Sequence, residues 1–207
     1  MITAIGDVMR EAYARNWITT RDGNCSLKRR GQNKLYITPS GVRKNVIFPE
    51  SILRLKIKDG GLILPDDVSP SGELDMHWLL QRAHGKTRCV LHLHPTYTIA
   101  AMLAGWDLHE LAKEFPEVHR YTKVAHNVPT LPAISEELAM ATYLKMTEDG
   151  EEFDIVGQDR HGVCAIGSNP WDAFEHIERL EHICKMALAA RHKPPVGQKI
   201  KKFLEIT

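Results

Sequence analysis

The chain has 207 residues, 43% apolar and 26% charged, with a formal net charge of +1. That is an ordinary globular composition, long enough to bury a substantial core. The near-neutral balance gives no global electrostatic reason to expect nucleic acid or an anionic membrane as a partner. The local basic runs, Lys28-Arg29-Arg30 and Lys199 to Lys202, read as solvated surface.

The four cysteines, Cys25, Cys89, Cys164 and Cys184, form no CxxC pair and match no zinc-ribbon spacing. Cys89 and Cys164 sit in apolar runs and read as buried free thiols. The N-terminus does not resemble a secretory leader, and no apolar stretch has the length of a membrane span. These features place the chain in a reducing, cytoplasmic setting.

In chain order, residues 4–16 space Ile5, Val8, Met9 and Ala12 as an amphipathic helix. A hairpin follows, with strands at 25–29 and 34–38 around a turn at Gly31-Gln32-Asn33. "ILRLKI" alternates like another strand and ends at Gly60-Gly61. "VSPSGELDMHWLLQRAHG" predicts a helix capped by Ser69 or Ser71, with Pro70 in its first turn and Gly85 past its end. A strand at 88–94 stops at Pro95. Short helices are expected at 97–104 and 107–114, a strand in "YTKVAHNV", and a helix at 135–147 capped by Ser135. "EFDIVGQDRHGVCAIG" predicts two buried strands around a turn near 158–162. Pro170 and Asp172 start a long helix reaching about Arg191. No repeat or linker divides the chain, so residues 1–207 are read as one domain. The expected architecture is α/β: three layers, α/β/α, around a mixed, mostly antiparallel central sheet.

The chemistry is concentrated in "VLHLHPTYT". Two-residue periodicity puts His92 and His94 on one face of the predicted strand. Two adjacent imidazoles repel once either is charged, and a metal ion is the commonest partner that holds such a pair. A catalytic zinc takes three protein ligands and keeps one position open. His161, beside Gly162 at the turn of the last hairpin, is the best candidate for the third. His77 and His84 read as a surface stripe, and His176, His182 and His192 as residues of the long helix and its end. Three imidazoles suit zinc and also manganese, cobalt or iron. A histidine pair on a strand is, about as often, a packing feature, so spacing alone leaves both readings open. Glu73 could supply acid–base chemistry beside such an ion, although a glutamate in a first helical turn also answers to the helix dipole. Gly23-Asn24, Ser40-Gly41 and Ser71-Gly72 offer amides and hydroxyls of the kind that hold phosphate, and are equally ordinary turn formers.

Taken together and in order, "GNCS" at 23–26, "ITPSG" at 37–41, "PSGELDMH" at 70–77, "VLHLHP" at 90–95, "RHGVCAIG" at 160–167 and "AFEHIERLEHICKMA" at 173–187 resemble the class II aldolase/adducin family. The resemblance spans residues 4 to 190. It implies the fold of L-fuculose-phosphate aldolase and a lyase that cleaves a ketose, expected to be a ketose 1-phosphate, through a metal-stabilised enediolate. It implies His92, His94 and His161 as ligands of Zn2+ or of another divalent metal such as Mn2+ or Co2+. It implies Glu73 as the acid/base and Tyr121 as a proton donor from a neighbouring subunit of a homotetramer. Asn24, Ser40, Gly41, Ser71 and Gly72 match the substrate-phosphate loops, with Gly72 standing where a second serine is expected. Two alternatives share the same site: dehydration of methylthioribulose phosphate and decarboxylation of a sugar-acid phosphate. The adducin heads offer a third, a non-catalytic scaffold lacking the metal ligands.

Overall fold

The predicted hairpin forms as β1 (Asn24–Lys28) and β2 (Lys34–Ile37), with Ser26 opposite Ile37 and Leu27 opposite Tyr36. This computed structural model describes residues 2–82 and 88–193. β2 continues to β3 (Leu53–Lys58), which pairs with a short edge strand, β4 (Gly61–Ile63), not expected from the sequence. On the other side of β1 lie β5 (Arg88–Leu93), β7 (Gly162–Gly167) and β6 (Ile155–Gln158). The order is β4-β3-β2-β1-β5-β7-β6, and every ladder is antiparallel.

β5 is central, and all six of its residues are buried. Its alternation divides the core. Cys89, Leu91 and Leu93 join one cluster with Ile5 and Met9 of α1 (Ile2–Ala14) and Leu180 of α7 (Pro170–Ala189). Val90 joins the opposite cluster with Met76 and Leu80 of α2 (Leu74–Arg82) and Leu138 of α6 (Glu136–Met146). α3 (Thr96–Leu103) packs on α7, and α6 packs on α2 and β6. These contacts form the expected α/β/α sandwich. His92 shares Val90's parity and therefore sits on the α2 side of the sheet.

Four local expectations are corrected. First, α2 begins at Leu74, and Glu73 is its cap: the Glu73 carbonyl accepts from His77 N at 3.2 Å. Ser69 and Ser71 do not cap α2, and Pro70 is not in its first turn. Pro70 bridges Pro39 instead, while Ser71 Oγ accepts from Glu73 N. Second, a helix, α5 (Pro116–Tyr121), occupies the start of the predicted "YTKVAHNV" strand. The rest of that segment makes only two isolated parallel bridges, Val124 with Ile155 and Val128 with Gln158. The backbone there is diverted by side chains: Asp154 accepts from Lys123 N, and Asp107 accepts from Asn127 N.

Third, His77 is not on a surface stripe, being 0% exposed. Fourth, β1 ends at Lys28 and β2 at Ile37, one residue short of each expected bound. The expected cap of α6 holds, α7 starts at Pro170 as expected, and its cap, Asn169, is one the sequence reading did not single out. Ser135 accepts from Leu138 N, and Asn169 precedes Pro170 and accepts from Trp171 N and Asp172 N. α4 (Leu108–Lys113) is capped by Asp107. All four cysteines are free and buried. Among the described residues, no helix is long and apolar enough to cross a membrane. His84, Gly85, Pro194-Pro195 and the run at 199–202 lie outside the described residues.

Candidate functional site

Three elements deliver the three histidines. The end of β5 carries His92 and leads directly to His94. The turn between β6 and β7 carries His161. His92, His94 and His161 each offer one ligand atom, and these atoms lie within 4.8 Å of one another. The approach depends on Gly162. A Cβ there would stand 2.5 Å from Leu93 O, 2.7 Å from His94 Cδ2 and 3.0 Å from His92 Cε1, so a side chain would push the two strands of ligands apart.

The tautomer of His92 is fixed by its outer partner. Nδ1 donates to the Val163 carbonyl at 3.0 Å, which leaves the lone pair on Nε2. That atom lies 2.8 Å from His94 Nε2 and 3.3 Å from Glu73 Oε2. His161 Nε2 lies 3.7 Å from Glu73 Oε1. Burial, and then His94 and His161, hold the His92 imidazolium well below the ordinary histidine range. Burial, and then His161, lower His94 as well, against Asp22 and Glu73. His92 and His94 are thereby held toward the neutral form, in which imidazole ligates a metal. Glu73 Oε1 and His161 Nδ1 are buried without a hydrogen-bond partner. Buried acceptors are normally satisfied, and a divalent cation among the three imidazoles would compensate a carboxylate buried beside it. The residues present fit such an ion.

Behind Glu73 runs a polar chain that sequence reasoning missed. Asn24 stands opposite His92 in the β1–β5 ladder. Its Nδ2 donates to Glu73 Oε2 at 3.0 Å. Its Oδ1 meets His77 Nε2, and His77 Nδ1 lies 2.8 Å from Ser26 Oγ. Gln81 Nε2 donates to that hydroxyl at 3.0 Å. Every contact is satisfied if the donors all run one way, Gln81 to Ser26 to His77 to Asn24 to Glu73. Burial pushes the His77 pKa down to about 4, which keeps its ring neutral and able to accept at Nδ1. The signal was present in the sequence: residues 73, 77 and 81 repeat at helical i, i+4 spacing.

The histidines and Glu73 line a cavity of about 310 Å³, together with Asn24, Ser40, Gly41, Ser71 and Gly72. All of the expected site residues except Tyr121 thus meet at one place. Lys44, unnoticed in the sequence, also lines it. Its buried ammonium donates to the carbonyls of Arg21 and Val42 at 3.0 Å each. Asn24 lines the cavity too, but both ends of its amide are used inward. Gly72 faces Ile134, whose Cγ2 would lie 3.0 Å from a Cβ on Gly72. Tyr121, at the end of α5, is 53% exposed and sits with Arg120 and Arg179 over its ring. It does not line this cavity. A larger groove, about 1010 Å³, runs along α7 past Trp17, Tyr97 and Phe115 and contains none of the three histidines.

The family described as Class II Aldolase and Adducin N-terminal domain matches residues 3–188. An L-fuculose phosphate aldolase from Methanococcus vannielii is 30% identical over 84% of this chain and 88% of its own length. A methylthioribulose-1-phosphate dehydratase from Leptospira borgpetersenii is 24% identical over 93% of this chain and 84% of its own. The crystal structure of a sugar-phosphate aldolase from Thermotoga maritima superposes with a TM-score of 0.75 at 22% identity, covering 95% of this chain and 97% of that one. The chain belongs to the class II aldolase and adducin family.

Proposed function

We propose that this member of the class II aldolase and adducin family is a divalent-metal-dependent lyase, an aldolase that cleaves a ketose 1-phosphate between C3 and C4. The observation that carries the reading is the convergence of His92, His94 and His161 beside a buried Glu73 carboxylate that has one oxygen without a partner. A scaffold has no use for an arrangement that buries a carboxylate against three converging imidazoles.

His92, His94 and His161 would hold the ion, with zinc favoured by the ligand type. When bound, the ion supplies a Lewis acid that polarises a carbonyl and bears the negative charge of bond cleavage. Glu73, held by Asn24, moves the proton at the carbon that becomes nucleophilic. Ser40, Gly41 and Ser71 place amides and hydroxyls on the cavity wall for the phosphate, and Lys44 adds positive potential. Tyr121, standing away from its own chain's cavity, is assigned to the site of a neighbouring subunit in a homotetramer, taking the C4 hydroxyl proton as the bond breaks and returning it to the aldehyde oxygen in the reverse, condensing direction.

Dehydration of methylthioribulose phosphate is the second reading, favoured by the Leptospira relative. Both reactions begin with a ketose phosphate and the same base. A panel of ketose 1-phosphates tests the choice, with retro-aldol products, dehydration products and CO2 assayed in parallel. An aldehyde plus a three-carbon ketone phosphate is the expected product. Dehydration or CO2 release without C3–C4 cleavage would refute the aldolase reading while keeping the lyase.

A further inference from the structure

A second group of metal-ligating side chains lies at the start of α4 and shares no residue with the cavity described above. We propose that His109, Glu110 and His126 bind a second divalent transition-metal ion, of the zinc class by ligand type. Each offers one ligand atom, and these atoms lie within 4.8 Å of one another. The two imidazole rings are 4.0 Å apart between centroids.

Both rings are oriented by outer partners in the way metal-bound histidines are. His109 Nδ1 donates to the Val124 carbonyl at 2.7 Å, leaving the lone pair on Nε2, which is 3.9 Å from Glu110 Oε1. His126 Nδ1 lies 3.2 Å from Asp107 Oδ1, so its Nε2 is the nitrogen left for a metal. Asp107 is itself fixed. It accepts from His109 N at 2.9 Å and Glu110 N at 3.4 Å, and its other oxygen accepts from Asn127 N at 3.3 Å. One carboxylate therefore caps the helix that carries two of the ligands and grips the loop that carries the third.

Lys113 Nζ donates to Glu110 Oε1 at 3.0 Å. A carboxylate accepts at several lone pairs, so that single contact leaves Glu110 able to ligate as well. The side chains of His109, Glu110 and His126 are 23%, 34% and 45% exposed, so an ion and its water can reach them. Two imidazoles and a carboxylate form a three-ligand set with one position left for solvent. Holding α4 to the 124–128 segment is the consequence, because the ligands come from both.

Equilibrium dialysis of the purified chain against micromolar free zinc, followed by metal analysis, tests the site. The wild type should retain about two equivalents per chain. His126→Asn and, separately, His109→Asn should each retain about one, with thermal unfolding of the metal-free His126→Asn protein unchanged. His92→Ala should also retain about one, which keeps this test apart from the one on the first centre. One equivalent in the wild type, a second one only at millimolar zinc, or a second one undiminished in His126→Asn would each overturn the proposal. If His92→Ala fails to fold, the His109 and His126 variants decide the question alone.

Discussion

Glu73 Oε2 lies 3.3 Å from His92 Nε2, while Asn24 holds the same oxygen from the other side at 3.0 Å. The carboxylate thus faces both the imidazole cluster and a donor that fixes its rotamer. A group so held can move protons without first reorganising. Glu73→Gln keeps the size and one oxygen but removes the base. We expect it to retain metal and fold and to lose turnover by about a hundredfold or more, the scale of a positioned acid–base group. Steady-state rates with metal content measured in the same samples check this. A variant that loses both metal and rate would assign Glu73 to metal binding instead.

The three imidazoles should fail together. Removing one leaves two ligands, too few for a catalytic zinc centre. His94→Ala is expected to lose one bound equivalent of metal and all measurable turnover, and added zinc should not restore the rate. Chelation of the wild type should abolish turnover, and returning Zn2+, Mn2+ or Co2+ should recover it to different degrees. Activity that survives exhaustive chelation would exclude a metal role.

Much of the site was legible because strand periodicity is strict. Once 88–94 reads as a strand, His92 and Val90 must share a face, and the structure places them so. His161 was legible from a glycine beside a turn, since only a missing Cβ lets β7 approach His94 so closely. The Asn24–His77–Ser26–Gln81 chain was hidden by a different cause. His77 was read with His84 as a solvent stripe, whereas the i, i+4, i+8 spacing of 73, 77 and 81 faces β1. Polar residues on the buried face of a helix look like surface until the strand that satisfies them is known. The loss of the 121–128 strand has the same origin. Asp154 and Asp107 capture two of its amides, those of Lys123 and Asn127, leaving only Ala125 N and Val128 N to bond the β6 backbone, and no local propensity records a partner distant in sequence.

Gly72 and Ile134 form one packing unit. Ile134 holds a φ of +63°, rare for a β-branched residue, and its side chain lies against the face where Gly72 would carry a Cβ. Gly72→Ser should therefore cost stability, about 1 kcal/mol, because exposed Ile134 can yield. Combined with Ile134→Gly, which also relieves the backbone, the serine should fit and its hydroxyl should tighten phosphate binding. Thermal unfolding and phosphate inhibition constants for the two single variants and the double variant check this. A double variant no tighter for phosphate than the wild type would remove Gly72 from the phosphate subsite.

Tyr121 and Glu73 can be tested as a pair from different chains. If Tyr121 serves a neighbour's cavity, Tyr121→Phe and Glu73→Gln are each inactive alone. Subunits of the two variants, mixed and allowed to exchange, regain a fraction of wild-type turnover, because some sites then combine two intact residues. Turnover in the mixture equal to the mean of the two pure variants would place Tyr121 outside the shared site.

The last prediction concerns acid. His77 is fully buried, and burial moves its pKa from 6.5 down to about 4. In the unfolded chain the ring takes a proton near 6.5, while in the folded chain it refuses one until about 4. Between those values the unfolded state binds more protons, so stability falls as the pH falls. The contribution is fully present above 6.5 and is lost progressively down to about 4. The gap corresponds to about 3 kcal/mol at 1.36 kcal/mol per pH unit. Carboxylates, His92 and His94 change stability over the same range, so the variant must be compared with the wild type at each pH. Glutamine at position 77 can donate to Asn24 and accept from Ser26 as the neutral ring does, but it cannot be protonated. His77→Gln should therefore lose stability relative to the wild type at pH 7 and regain much of the difference by pH 4. Urea unfolding of the metal-free proteins at half-unit pH steps measures it. Parallel stability curves across pH 4 to 7 would mean that His77 is not the buried neutral link between Ser26 and Asn24.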